Sequence, residues 1–280
     1  MTSNRNNFTK TIFLLFASLS LTLTGYSQFD DSYTDLDKTE YLVTYSMKFQ
    51  EDSLNPHYIS QEDMLLLIGP KMSKFLSYNY YIGDSLVRTI STHEEFQELV
   101  NHPQNIMPRV RLMYEIFKNY PIGKITTTDH IIGDPFKYEE KMDQFHWELR
   151  SDTATLHGFK VQQAICFFGG RQWIAWYTAD IPISDGPYKF NGLPGLILNL
   201  SDSKQHYVFE FVSISKIAYA LMIDMNDKEY IRSSKQEFFK ARNNFREDII
   251  SRAREAGAGV QTQQVAAQNM ARRNNPIELE

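Results

Sequence analysis

The sequence predicts a mainly β fold of the α+β class. Its expected form is an antiparallel meander making a strongly curved sheet or half-barrel, with a few helices that include a long, C-terminal amphipathic one. Three observations predict it. Apolar residues alternate at a period of two, as in Tyr41, Val43, Tyr45, Met47 and Phe49, which is the pattern of a half-buried strand. Strand-like runs and turn signals recur about every ten residues, with too few helical crossovers for a βαβ fold. A helical period stands out in only two places, residues 92–102 and residues 228–255.

Taken in order, residues 28–37 are polar and acidic and read as a mobile start to the mature chain. The alternating run at 41–49 is broken by Asn55-Pro56. Residues 64–68 and 74–82 read as strands on either side of the turn signal Gly69-Pro70. In 92–102, Thr92 can cap, Glu94 and Glu95 suit a first turn, and Phe96, Leu99 and Val100 share a face. Residues 109–120, 124–132 and 136–142 read as strands separated by Pro121-Ile122-Gly123 and Gly133-Asp134-Pro135.

Phe159, Val161, Gln163, Ile165 and Phe167 alternate up to Gly169-Gly170, a hairpin turn. The return strand carries Trp173, Ala175 and Tyr177 on one face and Ile174 and Trp176 on the other. Apolar on both faces, it is either central in a core or lines a cavity. Tyr207, Phe209 and Phe211 share one side of a later strand. Residues 228–255 hold eight Lys and Arg against five acids. Their apolar stripe, including Tyr230, Ile231, Phe238, Phe239, Phe245 and Ile249, reads as an amphipathic helix on the sheet. The sharper alternative is a membrane-surface or partner-binding helix. Gly257-Ala258-Gly259 ends it, and residues 257–280 read as a flexible tail.

The 280 residues are 42% hydrophobic and 14% aromatic, enough for a substantial core and not a disordered composition. Arg5 and Lys10, a short apolar run at 12–23 and Gly25-Tyr26-Ser27 read as a secretory signal peptide over residues 1–27. Residues 28–256 then form one domain. Removing the signal leaves 27 basic against 34 acidic residues, a net charge of −7, which argues against nucleic acid as a partner. No later segment is apolar enough to span a membrane. The single cysteine, Cys166, excludes an intramolecular disulfide and reads as a buried thiol. The seven histidines show no metal-ligand spacing, and no cofactor is implied.

The chain is organised around residues 147–202, centred on Asn191-Gly192-Leu193-Pro194-Gly195-Leu196-Ile197-Leu198. Pro194 fixes φ for a turn and Gly195 tolerates positive φ. The apolar residues around this turn fit a buried hairpin or the lip of a binding site. Together with Trp147-Glu148-Leu149, Gly158 to Ala164, Gly170-Arg171, Ala175 to Thr178, Ile181-Pro182-Ile183, Gly186-Pro187 and the terminal Asn275-Pro276-Ile277-Glu278-Leu279, it resembles the GLPGLI family of secreted bacterial proteins. That family often carries a cysteine where Val161 stands and a lysine where Gln163 stands, so a thiol role there is absent. The resemblance implies a secreted β-rich domain and assigns no activity.

There is no Gly-x-Ser-x-Gly, phosphate loop or zinc spacing, so the expectation is a non-enzymatic envelope protein, periplasmic or associated with the outer membrane. The first functional reading is a carrier of an apolar small molecule or lipid inside the curved sheet. Arg171, Trp173, Trp176, Tyr177, Leu193, Pro194, Tyr207, Phe209 and Phe211 would line its site. The second is an accessory partner of an outer-membrane transporter or assembly, and the third a metal-responsive accessory. An enclosed apolar cavity favours the first and a filled core with an exposed apolar patch favours the second. If residues 1–27 are a signal, the exported chain begins at Gln28; an intact mass that retains Phe13 to Leu23 would exclude this.

Overall fold

The computed structural model describes residues 32–102, 107–131 and 133–279. The signal-peptide reading lies outside these residues. The chain is mostly β. A first strand, β1 (Tyr33–Lys38), precedes a run of consecutive antiparallel neighbours: β2 (Tyr41–Gln50), β3 (Ile59–Ile68), β4 (Ser73–Ser77), β5 (Glu115–Lys118), β6 (Lys124–Ile131) and β7 (Asp134–Lys141). A second run follows: β8 (Glu148–Leu156), β9 (Phe159–Phe168), β10 (Arg171–Thr178), β11 (Leu196–Asp202) and β12 (Tyr207–Lys216). The last strand of the second run lies against the first strand of the other, β12 on β2, making one twelve-stranded sheet with β14 (Ile231–Arg232) added in parallel to β7. The expected meander is therefore two meanders sharing a seam. The edge strands β8 and β14 do not pair with each other, so the curved sheet stays open.

Register at the seam sets the core. Tyr45 faces Phe211, Met47 faces Phe209 and Phe49 faces Tyr207, and directly opposed residues project from the same face. These six side chains and their neighbours on β3, β4, β9 and β10 make the main core on the concave face. The convex face carries a smaller core, where a two-stranded sheet of β1 and β13 (Met222–Asn226) covers β3 to β5 through Leu36, Ile223 and Met225.

Several expected elements shift for identifiable reasons. Residues 28–37 were expected to be mobile, yet Tyr33–Lys38 is a strand; Leu36 supplies the apolar contact that the acidic composition concealed. The strand expected at 74–82 stops at Ser77, whose hydroxyl accepts from Tyr80 N at 3.1 Å and caps α1 (Tyr78–Val87). The helix expected at 92–102 is α2 (His93–Val100), with a reciprocal Thr92–Glu95 capping box. Only residues 115–118 of the run 109–120 join the sheet, because the neighbouring β4 has five residues.

The long helix of 228–255 is shorter and divided. Ser234 and Glu237 form a capping box that starts α3 (Lys235–Glu247), and α4 (Ile249–Glu255) follows Asp248. Phe238 and Phe239 pack α3 against Tyr138 and Phe136 of the sheet. Residues 257–279 do not form a free tail. Residues 260–271 are α5 (Val260–Ala271), rich in the helix formers Gln and Ala, and residues 275–279 return as a strap along the sheet, where Asn275 N donates to Glu51 O and Leu279 N to Gly169 O.

Between β10 and β11 the chain leaves the sheet for residues 179–195 and fills the concave hollow. Tyr188, Phe190 and Leu193 are buried there, and Phe190 meets Trp173 at a ring separation of 4.8 Å. This plug is folded by tight turns rather than the β-turn expected at Gly192–Gly195. Gly195 N donates to Leu193 O at 2.8 Å across Pro194, and Ile183 N to Ile181 O at 2.8 Å across Pro182. Gly195 has φ +153°, and a Cβ there would collide with the Thr178 carbonyl. Gly195→Val is expected to destabilise the fold by at least ~3 kcal/mol, through an obligatory backbone shift at a glycine-only conformation. An unchanged thermal midpoint would rule out this reading of the plug.

Candidate functional site: the hollow, its plug and its lock

Most of the nine residues expected to line a ligand site lie in the main core. Trp173, Tyr177, Leu193, Tyr207, Phe209 and Phe211 are all buried in the main core against one another and the plug. Their polar atoms are spoken for within the protein. Trp173 Nε1 donates to Phe168 O at 3.1 Å, Tyr177 Oη to Gln162 Oε1 at 2.9 Å and Tyr207 Oη to Asn275 O at 2.5 Å. Trp176 is half-buried on β10, and Pro194 is exposed at the plug's outer turn.

Arg171 stands among the candidate ligand residues, and its guanidinium is consumed by the chain itself in a buried structural salt bridge and a set of hydrogen bonds. It pairs with Asp202 at 2.8 Å and donates to Asn275 Oδ1 at 2.6 Å, Pro276 O at 2.7 Å and Ile277 O at 3.0 Å. Its planar fork suits such a cluster of carbonyl and carboxylate oxygens. The blocks singled out in the sequence are thus partners in space. Trp147 Nε1 donates to Asn191 O at 2.8 Å. The strap runs so close over the β9–β10 turn that a Cβ on Gly169 would lie 2.9 Å from Glu278 Cγ.

Beside this sits a buried ionic lock. Lys189, fully buried on the plug, pairs with Glu140 of β7 and, at 2.6 Å, with Glu278 of the strap. Lys235 at the start of α3 pairs with the same two carboxylates at 3.1 Å and 2.5 Å, and Tyr188 Oη donates to Glu278 at 2.5 Å. Burial alone would raise the Glu278 pKa, but the charges and hydrogen bonds of Lys189 and Lys235 overcome it and hold the carboxyl down at about 2. Burial likewise disfavours the Lys189 ammonium, and its neighbours Tyr138, Glu278 and Glu140 leave it more strongly protonated than usual. A second buried cation, Lys118 of β5, pairs with Asp185 and donates to Gly186 O at 2.5 Å, pinning the other end of the plug.

Sequence reasoning missed Lys118, Lys189, Glu140 and Glu278. The available signal was a lone charge inside an apolar run: Phe117-Lys118, Tyr188-Lys189-Phe190 and Ile277-Glu278-Leu279. The arrangement is a structural brace and offers no free nucleophile or base. Cys166 is buried, with its thiol pushed up to about 12 by burial, which leaves it a poor nucleophile. Among the described residues, no three His, Cys, Asp or Glu side chains converge as a metal-binding group. No helix of the described residues is long and apolar enough to cross a membrane.

The convex face of β9 and β10 is different. Ile165 and Ile174 oppose each other across the strands, Phe167 opposes Gln172, and Ser201 and Val208 extend the same row on β11 and β12. Phe167 is 75% exposed. Ile165, Phe167 and Ile174 belong to none of the hydrophobic cores, so they form an apolar patch next to the unpaired edge of β8.

A family model described as "Protein of unknown function (Porph_ging)" matches residues 169–199. This short match falls on the β9–β10 turn, β10 and the plug, within the stretch that carries the GLPGLI resemblance, and it does not carry that name. No curated protein matches the chain. Two solved structures of PNGF-II, in space groups C2 and P21, are similar, with 14% and 13% identity over 74% and 72% of this chain and TM-scores of 0.51 and 0.48. The chain spans about a third of their length, 33% and 32%, and the C2 likeness is one of fold alone.

The lock has a pH signature. The Glu278 carboxyl lies lower in the folded chain than the ordinary value of about 4.3, so its contribution is fully present above that value and is lost as pH falls toward 2. A shift of this size corresponds to stability on the order of 3 kcal/mol. Glu278→Gln is therefore expected to be less stable at neutral pH and to flatten the fall in stability between pH 4.3 and 2 in denaturant titrations. An equally steep fall in the Gln variant would remove Glu278 from the account.

Proposed function

We propose that this chain is a non-enzymatic envelope protein of the GLPGLI type, exported by residues 1–27, that works by binding a protein partner on the outside of its sheet. The observation that carries this is the contrast between the two faces. The concave face, where an apolar ligand would be carried, is occupied by Tyr188, Phe190 and Leu193 of the plug. The convex face of β9 and β10 leaves Phe167 open, beside the half-buried Ile165 and Ile174. Exposed apolar clusters of this kind suit a protein interface better than a lone solvated face.

A partner laid over this patch would bury Phe167 and the Ile165–Ile174 pair at its centre. Full burial of such side chains contributes roughly 1.5–3 kcal/mol each before the cost of association. The accessory reading, with an outer-membrane protein as partner, accords with this surface. The carrier reading requires the plug to leave, which would break the Lys189 and Lys118 pairs and expose the core.

A photo-crosslinking residue at position 167 of the full exported chain, with one at the exposed Leu54 as control, tests the proposal in an intact envelope. The expected outcome is one discrete protein adduct at 167 that is absent at 54 and is abolished by Ile174→Glu at unchanged melting temperature. No adduct specific to 167, or a lipid-mass adduct retained in native mass spectra, would overturn it.

A further inference from the structure

On the opposite flank, a cleft of 530 Å³ opens between the β1–β13 sheet, β7 and the segment leading into β14. Lys137, Lys228 and Arg232 all line it. Among the described residues, no carboxylate forms an ion pair with any of the three. That is unlike the neighbouring cations. Lys74 pairs with Glu115 at 2.7 Å and Asp224 at 3.2 Å, and Arg88 pairs with Asp84 at 2.6 Å and Asp224 at 2.5 Å.

The three cations are held close together. Lys137 and Lys228 lie over the same Tyr230 ring, 5.8 Å and 5.6 Å from its centre. Among the described residues, Lys137 Nζ finds as hydrogen-bond acceptor only the weak Met225 Sδ, at 3.6 Å. Lys228 Nζ is 3.1 Å from His130 Nε2. Burial, and then the charge of Arg232, lower the Lys137 pKa. Burial and the charge of Lys228 hold His130 down at about 4, so at neutral pH the ring is uncharged and accepts from Lys228. Like charges gathered in a partly buried cleft repel one another, and a bound anion relieves that repulsion.

We propose that this cleft binds a phosphorylated small molecule, its phosphate held between Lys137, Lys228 and Arg232 and its organic part lying toward Tyr120 and Leu36. A phosphate fits better than a carboxylate, because a dianion matches three cations and offers enough oxygens for all of them. The volume exceeds what a bare phosphate fills. At the rim, Asp227 is held by Thr34 Oγ1 at 2.6 Å and Glu229 faces the cleft; carboxylates so placed accept from hydroxyls of a sugar or glycerol moiety. Both a free sugar phosphate and a phospholipid headgroup share this chemistry.

The test uses the full exported chain. Glucose 1-phosphate and inorganic phosphate are titrated by calorimetry, and phosphatidate vesicles are compared with phosphatidylcholine vesicles by co-sedimentation. Saturable binding is expected, tighter for the sugar phosphate than for phosphate alone. Arg232→Gln and Lys228→Gln, both at a half-open site, should each weaken it about tenfold, the loss of one charge-assisted hydrogen bond. Occupancy should also raise the His130 pKa above about 4 in ring ¹H–¹⁵N spectra, a readout that a merely folded variant would not move. Selective sedimentation with phosphatidate but no soluble binding would place the phosphate on a lipid; soluble binding alone would place it on a free metabolite. Absence of both, or binding undiminished in both variants, would overturn the proposal.

Discussion

Charge inside an apolar hollow is the constraint on which this structure rests. An ammonium moved out of water costs several kcal/mol unless carboxylates stand against it with good geometry. Lys189 sits fully buried among Tyr138, Phe168 and Tyr188, and its two counter-charges come from residues 49 and 89 positions away. Satisfying that one cation therefore fixes the plug, strand β7 and the C-terminal strap relative to one another. Lys235 brings the first turn of α3 to the same point, so the lock balances two cations with two anions.

The same constraint explains how an open, strongly curved sheet keeps its concave face dry. Among the described residues, no helix spans the main core. An irregular loop does so instead, and irregular backbone carries polar groups that need partners. They are supplied individually: Trp147 Nε1 to Asn191 O, Lys118 Nζ to Gly186 O. A hollow closed this way is a core rather than a container, which moves the surfaces available for recognition to the convex face and the flank.

Much of this was legible in the chain. Period-two alternation located β2, β9, β10 and β12, and the two sides of β10 were assigned as found, with Trp173, Ala175 and Tyr177 inward. The need for glycine at 195 was legible because proline and glycine constrain the backbone locally. What was not legible depends on distance along the chain. A salt bridge suits the residue type of Arg171, but nothing near it announces that Asn275 and the carbonyls after it will take its donors. Trp173, Tyr207 and Phe209 have the composition of either a cavity wall or a core, and only the plug, contributed by residues between them, decides which. The helix at 260–271 escaped because it lacks an apolar face and its Gln-rich composition is shared with unstructured segments.

The strap has one more consequence. Residues 275–279 are made after every other residue of the lock, and their partners lie at Gln50, Glu51, Gly169, Arg171 and Lys189. Until they arrive, Lys189 lacks one of its carboxylates and the Arg171 guanidinium lacks three of its acceptors. A nascent chain can thus lay down both meanders but cannot seal the hollow. Arrival of this strap and closure of the core are the same event, and a chain lacking residues 275–279 would be left with its charges unmatched at the centre.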